Sequence, residues 1–180
     1  MTDNFQSSKV VSQEQSSSTK FDNFVQAVED AINSLDNTNV SASAAIAQSK
    51  LAFDAYSTYV PTWTATGTAP SLGNGTLAGR YMQIGKLVFV TIEFTAGSST
   101  TFGTGGWRFT APVTPRTSSK AIGEIRAIDT GVSEYPGFVV MEATLLRLMF
   151  STAVPEATVS APFAWANTDQ FHLSATYEAA

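Results

Sequence analysis

The single histidine, His172, stands two residues from Ser174 in a segment, 171–177, where apolar and polar residues alternate. Alternation puts both side chains on one face of a strand, where they could form half of a nucleophile–base pair. Acyl transfer also needs a third group to orient the imidazole and donors for an oxyanion, and no pattern nearby supplies them. The plainer reading of His172 is a surface or interface histidine. Glycoside hydrolysis would need two carboxylates, drawn from Glu93, Glu124, Asp129, Glu134, Glu142, Glu156 and Asp169. Most of these fall in strands or turns whose solvated faces carry charge anyway, and no pair stands out. The chain reads as a non-enzyme.

Gly103-Thr104-Gly105-Gly106 is a glycine loop, but it opens no helix and so lacks the amides that cradle a phosphate. The metal and dinucleotide motifs are absent, and no cofactor is expected. Zinc is disfavoured by a chain with one histidine and no cysteine. Aromatic residues are the better lead. Trp63, Trp107, Trp165, Tyr81 and Tyr135 could stack on sugar rings. Packing in a core or subunit interface competes with that role, and for the tryptophans it is the favoured one. Tyr135 and Trp107 are retained as candidate ligand contacts.

Composition narrows the partners. The 180 residues carry a net charge of −5, and only 14% are charged, against about 25% in ordinary globular chains. No Lys/Arg cluster exists to neutralise phosphates, so nucleic acid is not an expected partner. Low charge with abundant Thr, Ser, Ala and Gly suits chains whose subunits hide surface in one another. No stretch approaches the ~20 apolar residues of a membrane span. The first residues lack the basic flank and apolar run of a signal peptide, so synthesis and assembly in a cytoplasm are expected.

The elements that must position these groups are mostly strands. Residues 86–94 place Val88, Val90, Ile92 and Phe94 on one face and Leu87, Phe89, Thr91 and Glu93 on the other. Such a strand buries one face fully and the other partly, as in a sandwich or an oligomer interface. Gly85-Lys86 predicts a hairpin to a strand at 77–83, and Gly73-Asn74-Gly75 a turn before it. Residues 97–106 read as a loop, and so do 114–119. Residues 121–128 alternate, with Ala121, Gly123, Ile125 and Ala127 on one face. Residues 130–137 read as a turn region, 138–142 and 144–150 as two strands or one bent strand. In the final strand Phe171, Leu173, Ala175 and Tyr177 face in, while His172, Ser174 and Thr176 face out. Seven or eight strands result, enough for a sandwich or jelly roll.

The N-terminal third is different. Residues 1–18 are polar and cannot make a core, so they form either a disordered tail or an arm that orders on a neighbour. Thr19 to Asp22 resembles a capping box and predicts a helix start. Phe21, Val25, Val28, Ile32 and Leu35 then recur at heptad spacing. This seam suits a short coiled coil or an amphipathic helix lying on the β domain. Residues 36–39 break the helix, and a second begins near Ser41 with Ile46 and Phe53 keeping the register. The expected division is an arm at 1–18, a helical stalk and linker at 19–58, and a β domain at 59–180.

Pro61-Thr62-Trp63-Thr64, Gly73-Asn74-Gly75-Thr76-Leu77, Gly79-Arg80-Tyr81, Gln83-Ile84-Gly85-Lys86 and Thr101-Phe102-Gly103-Thr104-Gly105 together resemble a β-module of tailed-bacteriophage virion proteins. Trp165-Ala166 and the ending Ser174-Ala175-Thr176-Tyr177-Glu178-Ala179-Ala180 resemble its final strand. The likeness covers residues 59–180 and lies in the order of many pieces. The resemblance implies a trimeric β-sandwich of a tail fibre, minor tail protein or head fibre, with no catalytic residues to carry over. It favours the coiled coil, since heptad chemistry alone does not choose dimer or trimer. The expectation is a homotrimer on the virion surface, held to capsid or tail proteins by residues 1–18 and displaying a domain for host glycans. The alternative is a capsid decoration protein.

Overall fold

The computed structural model describes residues 4–33, 55–151 and 156–180, with side chains from Ser17 onward. The chain divides into two units, Met1–Ala52 and Phe53–Ala180. The first contains α1 (Asn4–Asn33), 30 residues long, or about 45 Å at the helical rise. Two expectations are corrected here: the helix does not open at Thr19, and residues 4–18 belong to it. No glycine or proline interrupts this span. A helix satisfies its backbone within itself, so a polar segment without a core can still be helical. Gln26 donates to Asp30 at 2.9 Å, four residues on, a pairing that supports exposed helices. Every side chain over 17–33 is exposed, including Phe21, Val25, Val28 and Ile32. Leu35, the expected break at 36–39 and the second helix lie outside the described residues.

The second unit is mainly β, as expected. Its nine strands are β1 (Ser57–Tyr59), β2 (Trp63–Ala65), β3 (Thr76–Ile84), β4 (Leu87–Thr95), β5 (Trp107–Thr110), β6 (Ile122–Asp129), β7 (Ser133–Glu142), β8 (Leu145–Phe150) and β9 (Gln170–Glu178). They form one antiparallel sheet in the order β1-β3-β4-β9-β6-β7-β8-β5-β2, not two stacked sheets. The edge strands β1 and β2 are separated only by Val60, Pro61 and Thr62, so the sheet must curl to bring its edges together. Ring contacts record that curl. Phe109 of β5 meets Phe171 of β9 edge-on at 5.3 Å across three intervening strands. Trp63 of β2 lies 5.1 Å from Phe94 of β4.

The core fills the concave side. Val88, Val90, Ile92 and Phe94 are buried, as are Phe171, Leu173, Ala175 and Tyr177, which is the inward set that alternation gave. Each such Val, Leu or Phe contributes roughly 1.5–3 kcal/mol by leaving water. The hairpin at Gly85-Lys86 is present, with Gly85 at φ 59°. The turn expected over 130–137 is shorter: Thr130, Gly131 and Val132 connect the strands, and β7 already begins at Ser133. Pro136 fits in β7 because β8 pairs with it only from Gly137 onward. The loop over 97–106 is tied down by Asn74, which accepts from the Ser99 amide at 2.9 Å and donates to Ser98 Oγ at 3.1 Å.

Candidate functional site

The outer face of β4, β9 and β6 gathers four of the polar residues singled out above, His172, Ser174, Glu93 and Glu124. Register aligns Glu93, His172 and Arg126 across these strands, and one step along it aligns Thr91, Ser174 and Glu124. Directly opposed side chains of neighbouring strands sit about 5 Å apart. The six surround a cleft of about 490 Å³, walled by Pro136 and Gly137 of β7. A further step along, Phe89, Thr176 and Ile122 line an adjoining hollow of about 340 Å³.

The cleft offers acceptors at Glu93 and Glu124, hydroxyls at Thr91 and Ser174, an imidazole and a guanidinium. Arg126 also leans toward Glu134, at 3.6 Å. His172 and Ser174 share the face as alternation required, but residues two apart on a strand are separated by roughly 6.7 Å along it. The pair therefore makes no nucleophile–base hydrogen bond, and the groups beside His172 are Glu93 and Arg126 on separate strands. No group of three His, Asp or Glu among the described residues is placed to hold a metal ion. The arrangement can bind polar groups.

Three of the other carboxylates, Glu142, Glu156 and Asp169, are occupied elsewhere. Glu142 and Glu156 pair with Arg108, and Glu156 also with Arg147 at 3.2 Å. Asp169 is buried and accepts from the amides of Ala166 at 2.7 Å and Thr130 at 3.0 Å, fixing the turn into β9.

The aromatic candidates divide. Trp107 is fully buried, stacks on Phe102 at 5.9 Å and donates its indole N–H to the Phe102 carbonyl. As a ligand contact it is corrected: it is a core residue, along with Trp63 and Trp165. Tyr135 is half-buried against Phe163 at 5.0 Å, which leaves only part of its ring to a ligand. Tyr81 packs edge-on against Tyr59 at 5.9 Å. The Tyr59 hydroxyl is buried without a hydrogen-bond partner among the described residues. Burial first, and Tyr177 beside it second, push the Tyr59 phenol well above its ordinary range. Burial also raises Tyr177, against a lowering by its hydrogen bond to Val113.

Sequence reasoning did not foresee how apolar the outer face is. Ile122 is 81% exposed and Leu87 54%, with Phe138 and Ile84 nearly as open. Their outward positions follow from alternation, but that they share one face follows only from the strand order. No known family, curated protein or solved structure matches the chain.

Proposed function

We propose that this is a non-enzymatic bacteriophage virion surface protein, a homotrimeric fibre or minor tail protein that attaches through its N-terminal region and displays the β unit toward host surface glycans. One observation carries the reading. α1 keeps Phe21, Val25, Val28 and Ile32 at heptad spacing with every side chain over 17–33 exposed. A helix of this composition gains stability mainly by burying its apolar stripe, and copies of itself supply the matching stripe. The order of β pieces that resembles the phage module supports the rest of the reading.

Decoration of the capsid is the second reading, and the burial of the three tryptophans favours it. With those rings in the core, the loops hold few flat apolar groups to meet a sugar. Gold labelling of the protein in purified particles separates the two: label at the tail tip supports adhesion, label over the head supports decoration. Sedimentation of the purified chain tests their common root. A monomer at micromolar concentration overturns the oligomeric reading in either form.

A further inference from the structure

We propose that the outer face of the β unit is a second self-association surface, on which the β3–β4 side of one copy packs against the β6–β7 side of another. The proposal rests on the oligomeric reading above, and adds a contact that the helix seam does not provide.

The first observation is an apolar line in strict register. Met82 opposes Phe89, Phe89 opposes Thr176, and Thr176 opposes Ile122, crossing four strands. The solvated face of an antiparallel sheet ordinarily carries polar residues. Here Ile122 stands 81% exposed in the middle of the sheet, with Leu87 at one side and Phe138 at the other. A monomer seldom leaves this many large apolar side chains of one sheet face open to water.

The second observation is charge. Arg80 on β3 lies 5.4 Å over the Tyr56 ring and has no carboxylate partner among the described residues. Glu124 on β6 has no cationic partner among them either. Both sit in one cross-strand row, Arg80–Thr91–Ser174–Glu124, with the small Thr91 of β4 and Ser174 of β9 between them. This row thus ends in opposite charges, Arg80 on one flank and Glu124 on the other, while in the next row Glu93 and Arg126 lie on either side of His172 and Arg126 is paired with Glu134. One flank fits the other flank of a second copy, and such head-to-side contacts close into a ring when the rotation allows. A saccharide would match the cleft's polar groups but leave Ile122, Leu87 and Phe138 exposed, so a second copy is the better occupant.

The test uses the full chain and the dissociation constant of its oligomer by sedimentation. Ile122→Asp, Arg80→Glu and Glu124→Arg are each expected to raise that constant by at least about ten-fold. The double variant Arg80→Glu/Glu124→Arg should return it to within about three-fold of wild type, because swapped charges pair again across copies. All three positions are exposed, so an unchanged urea midpoint for the β unit confirms that folding is intact. Unchanged constants in an oligomeric wild type overturn this interface and leave the helix seam standing. A monomeric wild type overturns both. No recovery in the double variant overturns the Arg80–Glu124 pairing. An intact oligomer whose variants instead lose binding to extracted wall glycan makes the face a ligand site and overturns the proposal.

Discussion

Arg108 sits on β5 with 9% of its side chain exposed; its guanidinium donates to Glu142 and to the Trp107 carbonyl at 3.0 Å, and forms an ion pair with Glu156 at 2.6 Å. Arg147, its direct partner on β8, shares Glu156. Two carboxylates balance two guanidiniums, which makes a buried arginine tolerable. Arg108→Met should cost about 2–3 kcal/mol in urea denaturation, below the 3–5 of a wholly buried pair because Glu142 is half exposed. Adding Glu142→Gln should recover part of it, since the carboxylate left without its cation is then gone while Glu156 keeps Arg147; no recovery would mean the loss came from packing. Tyr59 argues a different case. Its folded pKa is raised above the unfolded value near 10, so the folded state holds this proton more tightly. The stabilisation is complete below pH 10 and is lost as pH rises beyond it, by up to about 1.4 kcal/mol per pH unit and less after solvent screening. Tyr59→Phe removes a hydroxyl that has no hydrogen-bond partner among the described residues. It should leave stability at pH 8 unchanged or up to about 1 kcal/mol higher, and flatten the decline between pH 10 and 11. Neither network was legible beforehand: Arg108, Glu142 and Glu156 are far apart in sequence, and only the β5–β8 pairing brings them together.

Among the elements, the strands were the most legible part. Alternation over 86–94, 121–128 and 171–177 gave the buried faces correctly, because a half-buried strand imprints its period directly on the sequence. The β7 start was missed because proline and glycine at 136 and 137 read as a turn, and the ladder gap that admits Pro136 is a tertiary fact. β1 and β2 were missed because three residues hold too little pattern. The hairpin between β7 and β8 invites a local test: Ala143 adopts φ 54°, a left-handed conformation that costs an alanine about 1 kcal/mol. Ala143→Gly should therefore stabilise the β unit by about 0.5–1 kcal/mol, read from the urea midpoint. In α1, Val28→Asp or Ile32→Asp should weaken the oligomer, as a carboxylate in an apolar seam is costly to bury. An oligomer that withstands both would place its main contacts in the sheet face around Ile122.

At the scale of the whole molecule, the curl was the least legible feature. A nine-stranded sheet and a sandwich demand the same inward residues; what separates them is that β1 and β2 occupy opposite edges while only three residues apart in the chain. Among the described residues the core is complete within the second unit, Phe53–Ala180. That completeness makes a truncation informative. Deleting residues 1–18 removes half of α1 but none of the buried set, so the β unit should unfold at a urea midpoint within about 0.5 kcal/mol of the intact chain, followed by tryptophan fluorescence from Trp63, Trp107 and Trp165. The same deletion should abolish incorporation into particles, because the attachment proposed for this segment is lost while the displayed domain persists. Full incorporation of the truncated chain would move attachment away from residues 1–18. A lowered midpoint would show that α1 supports the β unit directly, as in the alternative in which this helix lies on the β domain.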